Sequence, residues 1–588
     1  MQGEAVTLQL GHYSGCVGAH WWGLQAAALR SAREPAELRA AALLRFGRGP
    51  GGPETPTPRL VALELKGGVG SLRPDGAGAE PPVSWDGAVA DYRDRGSDGG
   101  CAPRDPGSCR GDAAGDRKGN PGVAGPGAAP AGSQDAPSVR LWSDYLNVHL
   151  HPKSVYVIRQ YLHDGDCGCL EAFGQGESLL QDPACVEELE DRLHFYVEEC
   201  DYLQVPTLSK LPLLSRNFLL KMKQNLRCCR CFPQGFQVLC DLHNGFSGVG
   251  AKVTELLHDE YSRKGILTWG LTPVLSTVGD PQNSFYRLMN TALGIAHLSR
   301  HSSLFCPLSL SGSLGIKPQP PVTFPYIKYE ASLNYHSSAI LAAALDTLTA
   351  PYRLCSSQGS MMHFADSLTF SGRKVVAAWA ALPFPALSGS SLLDILSAHQ
   401  QDVPWKLLSS WREEQKVSCC FAQSVVLRGI CQEKPTSSCP GQPRSPLHSC
   451  ESPEQVLQQF LHTHFPGAFS TSHVLQQPCD TRPPFPQFFS PLLTRRGFLL
   501  DKAQGFSSAG VESMPVLAAL QSSPVLHSLL SGLCQELQAP NVRRWSSFFT
   551  AGVEQDDFQE ALEELKTLSQ CYETGFGADG SEDEADSD

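Results

Sequence analysis

The chain has 588 residues and a formal net charge of −13, and 41% of its residues are hydrophobic. That length and composition suit a protein with sizeable cores and several domains' worth of chain. The acidity excludes a general nucleic-acid binder, which needs basic surface to meet phosphates. The longest apolar run, Val375–Leu382, falls far short of the ~20 residues of a membrane-spanning helix. Any membrane association is therefore expected to be peripheral or through a partner. The cysteines are scattered, and Met1–Thr7 lacks the basic segment of a secretory leader, so reduced thiols in a cytosolic compartment are expected. Cys228-x-x-Cys231 has zinc-ligand spacing without a second pair, and Cys167 and Cys169 stand too close together; both read as free thiols, and no metal site is expected.

In chain order, Val6–Leu10 is strand-like, Gly11 to Gly18 reads as a small-residue turn, His20–Arg30 as a helix, and Pro58–Leu65 as a second strand. Residues 74–138 are rich in Gly, Ala, Pro, Asp and Arg and hold almost no large apolar residue, which predicts a disordered insertion. Order is expected to resume at Leu141-Trp142, and His149 and His151 alternate along an expected strand as surface or packed residues. Val186, Leu189, Leu193, Val197 and Cys200 form one face of an amphipathic helix, and Gly235–Cys240 a buried strand. Between them, Val205–Gln234 carries Lys210, Arg216, Lys221, Lys223, Arg227 and Arg230 and no acidic residue, an extra basic loop in an acidic chain. Further on, a helix is expected over Ser337–Thr349, and strands over Val375–Leu382 and Ser424–Leu427. Residues 431–500 read as a Pro/Ser-rich irregular segment, 501–572 as a helical region ending in the face Phe558, Ala561, Leu562, Leu565 and Leu568, and 573–588 as a solvated acidic tail.

Two glycine motifs carry the candidate chemistry. Gly11-His12-Tyr13-Ser14-Gly15-Cys16-Val17-Gly18 follows a strand and opens a helix. Asn244-Gly245-Phe246-Ser247-Gly248-Val249-Gly250 does the same before a helix expected to start near Ala251. Such turns offer backbone N–H groups to a phosphate. The second is equally at home as a tight structural turn, and the first more often is one.

The order and neighbours of these motifs resemble tubulin. Gly11, Gly18, Ala19 and Trp22 match its opening turn G-Q-C-G-N-Q-I-G-A-K-F-W, and Gly245, Ser247, Gly248 and Gly250 match its G-G-G-T-G-S-G loop. Cys200-Asp201-Tyr202-Leu203-Gln204 joined to Gly235-Phe236-Gln237 resembles C-D-C-L-Q-G-F-Q, and Pro58-Arg59 through Leu63-Glu64-Leu65 resembles P-R-A-I-L-V-D-L. Phe549-Thr550-Ala551-Gly552-Val553-Glu554 keeps the order before the last helix. Trp21-Trp22, the run Trp142–Pro152, Phe173–Ser178 and Asp241–Gly250 are similar to the Misato family of tubulin-like proteins.

That resemblance implies a tubulin-like α/β fold: a doubly wound nucleotide-binding-type domain over 1–310, a second mixed α/β domain over 311–430, and a helical C-terminal region. It implies a non-enzymatic regulator of mitochondrial distribution, morphology and fusion, in the cytoplasm and peripherally at the mitochondrial outer membrane, with partners there or among tubulin and chaperonin. Two alternatives stay open: a GTP-binding protein of the tubulin class that hydrolyses slowly or only in an assembly, and a cofactor for tubulin folding or microtubule organisation. Gly11, Gly18, Glu64, Gly245, Ser247, Gly248 and Gly250 are the phosphate-site candidates by resemblance. Phe246, Asn244 and Ser14 stand where tubulin has glycine, and Lys66 where it has glutamate, so a degenerate site without GTP or GDP is expected. Ser309–Pro321, with its glycines and prolines, does not support tubulin's long central helix, and Phe364-Ala365-Asp366 is a loose echo of its catalytic N-A-D.

Overall fold

Buried parallel strands need near-continuous apolar runs, because helices cover both faces. Four segments meet that demand along their whole length in the computed structural model: β1 (Ala5–Leu10), β6 (Gly235–Asp241), β7 (Gly265–Thr272) and β8 (Leu304–Ser309). Before β6 come a hairpin, β2 (Leu44–Arg48) and β3 (Glu54–Pro58), then β4 (Leu60–Lys66) and β5 (Val155–Leu162). The all-parallel first sheet has the order β5-β4-β1-β6-β7-β8. The structure describes residues 3–31, 36–48, 54–70, 139–164, 168–202, 235–274, 281–312, 319–356, 359–399, 402–409, 419–430, 447, 450, 452–500, 510–538 and 546–574. All of these except Val139 belong to one compact unit. The expectations for 74–138, for Val205–Gln234 and for the tail beyond residue 574 lie outside the described residues.

The helices of the first part are α1 (His12–Ser31), α2 (Phe173–Leu179), α3 (Pro183–Tyr202), α4 (Phe246–Glu260), α5 (Pro281–His301) and α6 (Asn334–Leu348). Two expectations shift here. Gly11 alone makes the first turn, at φ +107°, and α1 runs from His12, so Gly18 is helical. Likewise α4 already begins at Phe246, which puts Ser247, Gly248 and Gly250 in its first turns rather than in a loop. His149 and His151 precede β5 instead of lying on a strand, and the His151 ring accepts from the Lys153 N–H at 3.2 Å.

The helix between the two sheets is α6. It packs against α1 on one side and the second sheet on the other. Asp346 of α6 anchors it: Arg353 Nη2 donates to it at 2.8 Å, Gln25 Nε2 at 2.5 Å, and Arg428 closes the cluster.

After α7 (Met361–Leu368), which holds Phe364–Asp366, come β9 (Ala377–Ala381), α8 (Leu392–Ala398), β10 (Lys406–Leu407) and β11 (Ala422–Arg428). The segment expected to be irregular contains α9 (Pro453–His464), β12 (Phe469–Leu475) and β13 (Cys479–Asp480). Ser452 and Gln455 cap α9 reciprocally, and β12 pairs in parallel with β11. The region expected to be helical opens on β14 (Ser513–Met514) and β15 (Val516–Ser522) before α10 (Val525–Gln538), α11 (Ser546–Thr550) and α12 (Gln555–Gln570). Fully buried, β15 is the central strand of a mixed five-stranded sheet of order β10-β9-β15-β11-β12. Helices α10 and α12 return to the first core, where Leu530, Phe558 and Leu565 pack in one cluster with Leu293 and Ala296 of α5.

Candidate functional site

In open parallel sheets, ligands bind beyond the carboxyl ends of the strands where the strand order reverses direction. Here that point is β1, flanked by β4 on one side and β6 on the other. A cavity of about 310 Å³ lies there, lined by His12, Glu64, His163, Asp241, His243 and Arg287 among others.

Gly11 permits the tightest approach. A Cβ on it would lie 2.5 Å from Asp241 Oδ2, and its φ is left-handed, so no other residue fits. The Asp241 carboxylate consequently reaches the start of α1. It accepts from the Tyr13 N–H at 3.0 Å, the Ser14 N–H at 2.7 Å and the Ser14 hydroxyl at 2.6 Å. A helix N-terminus attracts an anion, and here the chain supplies its own. Burial pushes the Asp241 pKa up to about 7, against the pull of Ser14 and the two amides.

The second glycine motif is closed as well. The Gly245 N–H donates to Leu170 O at 3.1 Å and the Phe246 N–H to Asn244 Oδ1 at 3.0 Å. The Ser247, Gly248 and Val249 amides are taken by Asn244 O, Gly245 O and Gly245 O. Its glycines serve packing. A Cβ on Gly245 would stand 2.7 Å from Ala172 O, one on Gly248 would collide with Phe173 O, and one on Gly250 with Cys240 Sγ. Gly176 of α2 meets Gly245 O in the same way, so α2 and α4 touch backbone to backbone. Asn290 of α5 locks this lid, accepting from the Phe173 N–H at 2.8 Å and donating to Glu171 O at 2.6 Å. Gly18 belongs to neither motif's rim; a Cβ there would strike the Gln9 side chain.

These residues do not fit a nucleoside triphosphate. The amides that would cradle phosphates are already bonded, and a carboxylate occupies the helix end. Of the sequence candidates, Glu64 lines the cavity and Gly11 lets Asp241, which also lines it, approach α1, while Gly18, Ser247, Gly248 and Gly250 are buried packing positions.

What the cavity gathers instead is a set of imidazoles around Glu64. The carboxylate is 1% exposed; its Oε1 accepts from the Leu65 N–H and its Oε2 from Trp142 Nε1, each at 2.9 Å. His12 Nδ1 lies 3.2 Å from Oε2, and the His12 and His163 rings are 4.0 Å apart. Burial works against charge on His12, but Cys16 and Glu64 outweigh it and hold the imidazole above its ordinary value. Burial and the neighbouring His12 push His163 the other way. The His243 pKa is lowered to about 3 by burial, Arg287 and His12, and its Nδ1 has no partner among the described residues. His12, His163 and Asp241 carry no local pattern that marks them; only the fold brings them together.

Two family descriptions match this chain. "Misato Segment II tubulin-like domain" covers residues 3–98, and "Tubulin domain" covers 131–209 and 226–354. The chain is 47% identical to "Protein misato homolog 1" of Bos taurus over 97% of its own length and 98% of the relative's, and 47% identical to that of Homo sapiens over the same shares. Against "Protein misato" of Drosophila melanogaster the identity is 27%, again over 97% and 98%. Full-length identity at this level, the tubulin match on both sides of residues 210–225 and the parallel sheet with its α/β layers agree: the chain belongs to the Misato family of tubulin-like proteins.

Proposed function

We propose that this protein acts without catalysis and without a bound guanine nucleotide, as a tubulin-like regulator of mitochondrial distribution and morphology, working through protein contacts at the mitochondrial outer membrane. The non-enzymatic part rests on one observation: Asp241 occupies the N-terminus of α1, where a nucleotide phosphate would need the Tyr13 and Ser14 amides. The mitochondrial part rests on the family resemblance. Peripheral attachment accords with the described helices, none of which is long and apolar enough to cross a membrane.

Two measurements test the reading. Full-length protein purified without harsh treatment is denatured and its supernatant assayed for guanine nucleotide; well under one equivalent is expected. A stoichiometric yield would favour the GTP-binding alternative. Mitochondrial fractions are then extracted with alkaline carbonate, which is expected to release the protein. Retention in the pellet would overturn peripheral attachment.

A further inference from the structure

Three strands adjacent in the first sheet, β5, β4 and β1, each deliver one metal-competent side chain to the same cavity. Glu64 lies on β4, His12 follows β1 and His163 follows β5. One donor atom from each falls within 4.8 Å of the other two. We propose that His12, Glu64 and His163 form a binding site for a divalent transition-metal ion of the zinc type, with its remaining coordination position open to the cavity.

The geometry already approaches a ligand set. Zinc bonds of ~2.0–2.2 Å to imidazole nitrogen and carboxylate oxygen place two tetrahedral ligands roughly 3.4 Å apart. His12 Nδ1 and Glu64 Oε2 are 3.2 Å apart. Rotation of His163, whose side chain is 19% exposed, brings in the third donor. Two imidazoles and one carboxylate select a zinc-like ion over magnesium, which prefers an all-oxygen shell. The carboxylate is held as metal-ligating carboxylates are held, with Trp142 Nε1 on one oxygen and the Leu65 N–H on the other. Three protein ligands facing a cavity leave room for water or an exogenous ligand, the arrangement of an open site rather than a closed structural one.

A plain hydrogen-bonded His–Glu pair with a second imidazole packed at a tilt against it would use the same residues, and only metal affinity separates the two. Full-length protein is stripped with a chelator, its thiols are alkylated, and it is titrated with zinc chloride by calorimetry and with cobalt(II) by visible absorption. One equivalent should bind, with d–d bands of a nitrogen/oxygen site and no thiolate charge transfer. His163→Ala should abolish that equivalent, and His473→Gln, remote from the cavity, should leave it intact. Trp142→Phe, which frees one oxygen of Glu64, should weaken binding by about 10–100-fold. His163 is the decisive position because Glu64→Gln could disturb folding through Trp142. Failure of the parent protein to bind an equivalent, or binding that survives His163→Ala unchanged, overturns the proposal. Neither outcome bears on nucleotide content or carbonate extraction.

Discussion

Two buried aspartates show how one residue type serves opposite ends in this molecule. Asp346 lies at the junction of α1, α6 and β11 and meets two guanidiniums, Arg353 and Arg428, together with Gln25. Burial alone would raise its pKa, but the two arginines outweigh that and lower it to about 2. Asp241 is just as buried and meets no guanidinium or ammonium among the described residues; amides and a hydroxyl hold it, and burial raises its pKa to about 7. The first carboxylate is neutralised and closed, as a structural tie should be. The second faces a cavity and keeps a proton within reach of neutral pH, as groups at functional sites tend to do.

The largest effect should come from breaking the tie. Asp346→Asn leaves two buried arginines short of a counter-charge, and removing one partner of such a cluster costs about 3–5 kcal/mol. Urea unfolding of the full chain at neutral pH checks this. A loss under about 1 kcal/mol would mean that the cluster is hydrated or relaxed in solution.

The sign of the pH dependence separates the two aspartates. Asp346 has a folded pKa below its unfolded value of 3.8, so its contribution is present above that pH and fades as pH falls toward 2. Asp241 behaves in reverse. Its folded pKa lies above 3.8, so its contribution is complete below pH 3.8 and is lost as pH rises through about 7. The slope can reach about 1.4 kcal/mol per pH unit over that window. Asp241→Asn keeps a cap oxygen for α1 and removes the titration, so the wild-type decline in stability between pH 5 and 7 should flatten in the variant. Parallel profiles for the two proteins would remove Asp241 from the account.

A smaller effect tests what the glycine motif is for. If Gly248 exists for phosphate, Gly248→Ala should leave the ligand-free protein as stable as before. If it exists for the contact between α2 and α4, the methyl meets Phe173 O and costs about 1–3 kcal/mol by overpacking. The second outcome is expected, measured by thermal unfolding.

The strand–turn–helix units around Gly11 and Gly245, the run Gly235–Asp241 and the closing helix were legible because each carries its own local pattern: continuous apolar residues, a glycine, or a 3.6-residue stripe. Long-range packing was not. That Gly245 and Gly248 accommodate α2 depends on residues 169–176 folding back over them, and no spacing within the motif announces it. His12, Glu64 and His163 are scattered along the chain and match no local metal signature. Segment 431–500 hid α9 and β12 for a different reason. Lying at the edge of its sheet, β12 is mostly half-exposed and carries polar residues where a central strand would carry apolar ones. Its amphipathic neighbour α9 buries only Val456, Leu457, Phe460 and Leu461.

An effect of the opposite sign, and no larger, is expected from deleting the basic stretch Val205–Gln234, which lies outside the described residues. Helix α3 ends at Tyr202 and β6 begins at Gly235, so deletion leaves Leu203-Gln204 as the connection. Two residues lie within the usual ~2–6 for a helix-to-strand join. The tubulin match is itself interrupted over residues 210–225, inside this stretch. Loop closure costs about 0.6 kcal/mol per doubling of length, and the connection between Tyr202 and Gly235 shortens from about 32 residues to two, four doublings, so removing the stretch should raise stability by about 2.4 kcal/mol at most. Strand β6 lies between β1 and β7 in the first sheet and carries Asp241. If Val205–Gln234 had to pack for β6 to seat, the deletion would unfold the sheet and expose the cavity. The expected result is a soluble variant that unfolds at or above the wild-type temperature, with unchanged mitochondrial fractionation. A variant that folds but leaves the mitochondrial fraction would make these six basic residues the attachment surface, and would place the protein's outward contact far in function from the buried carboxylates that organise its first sheet.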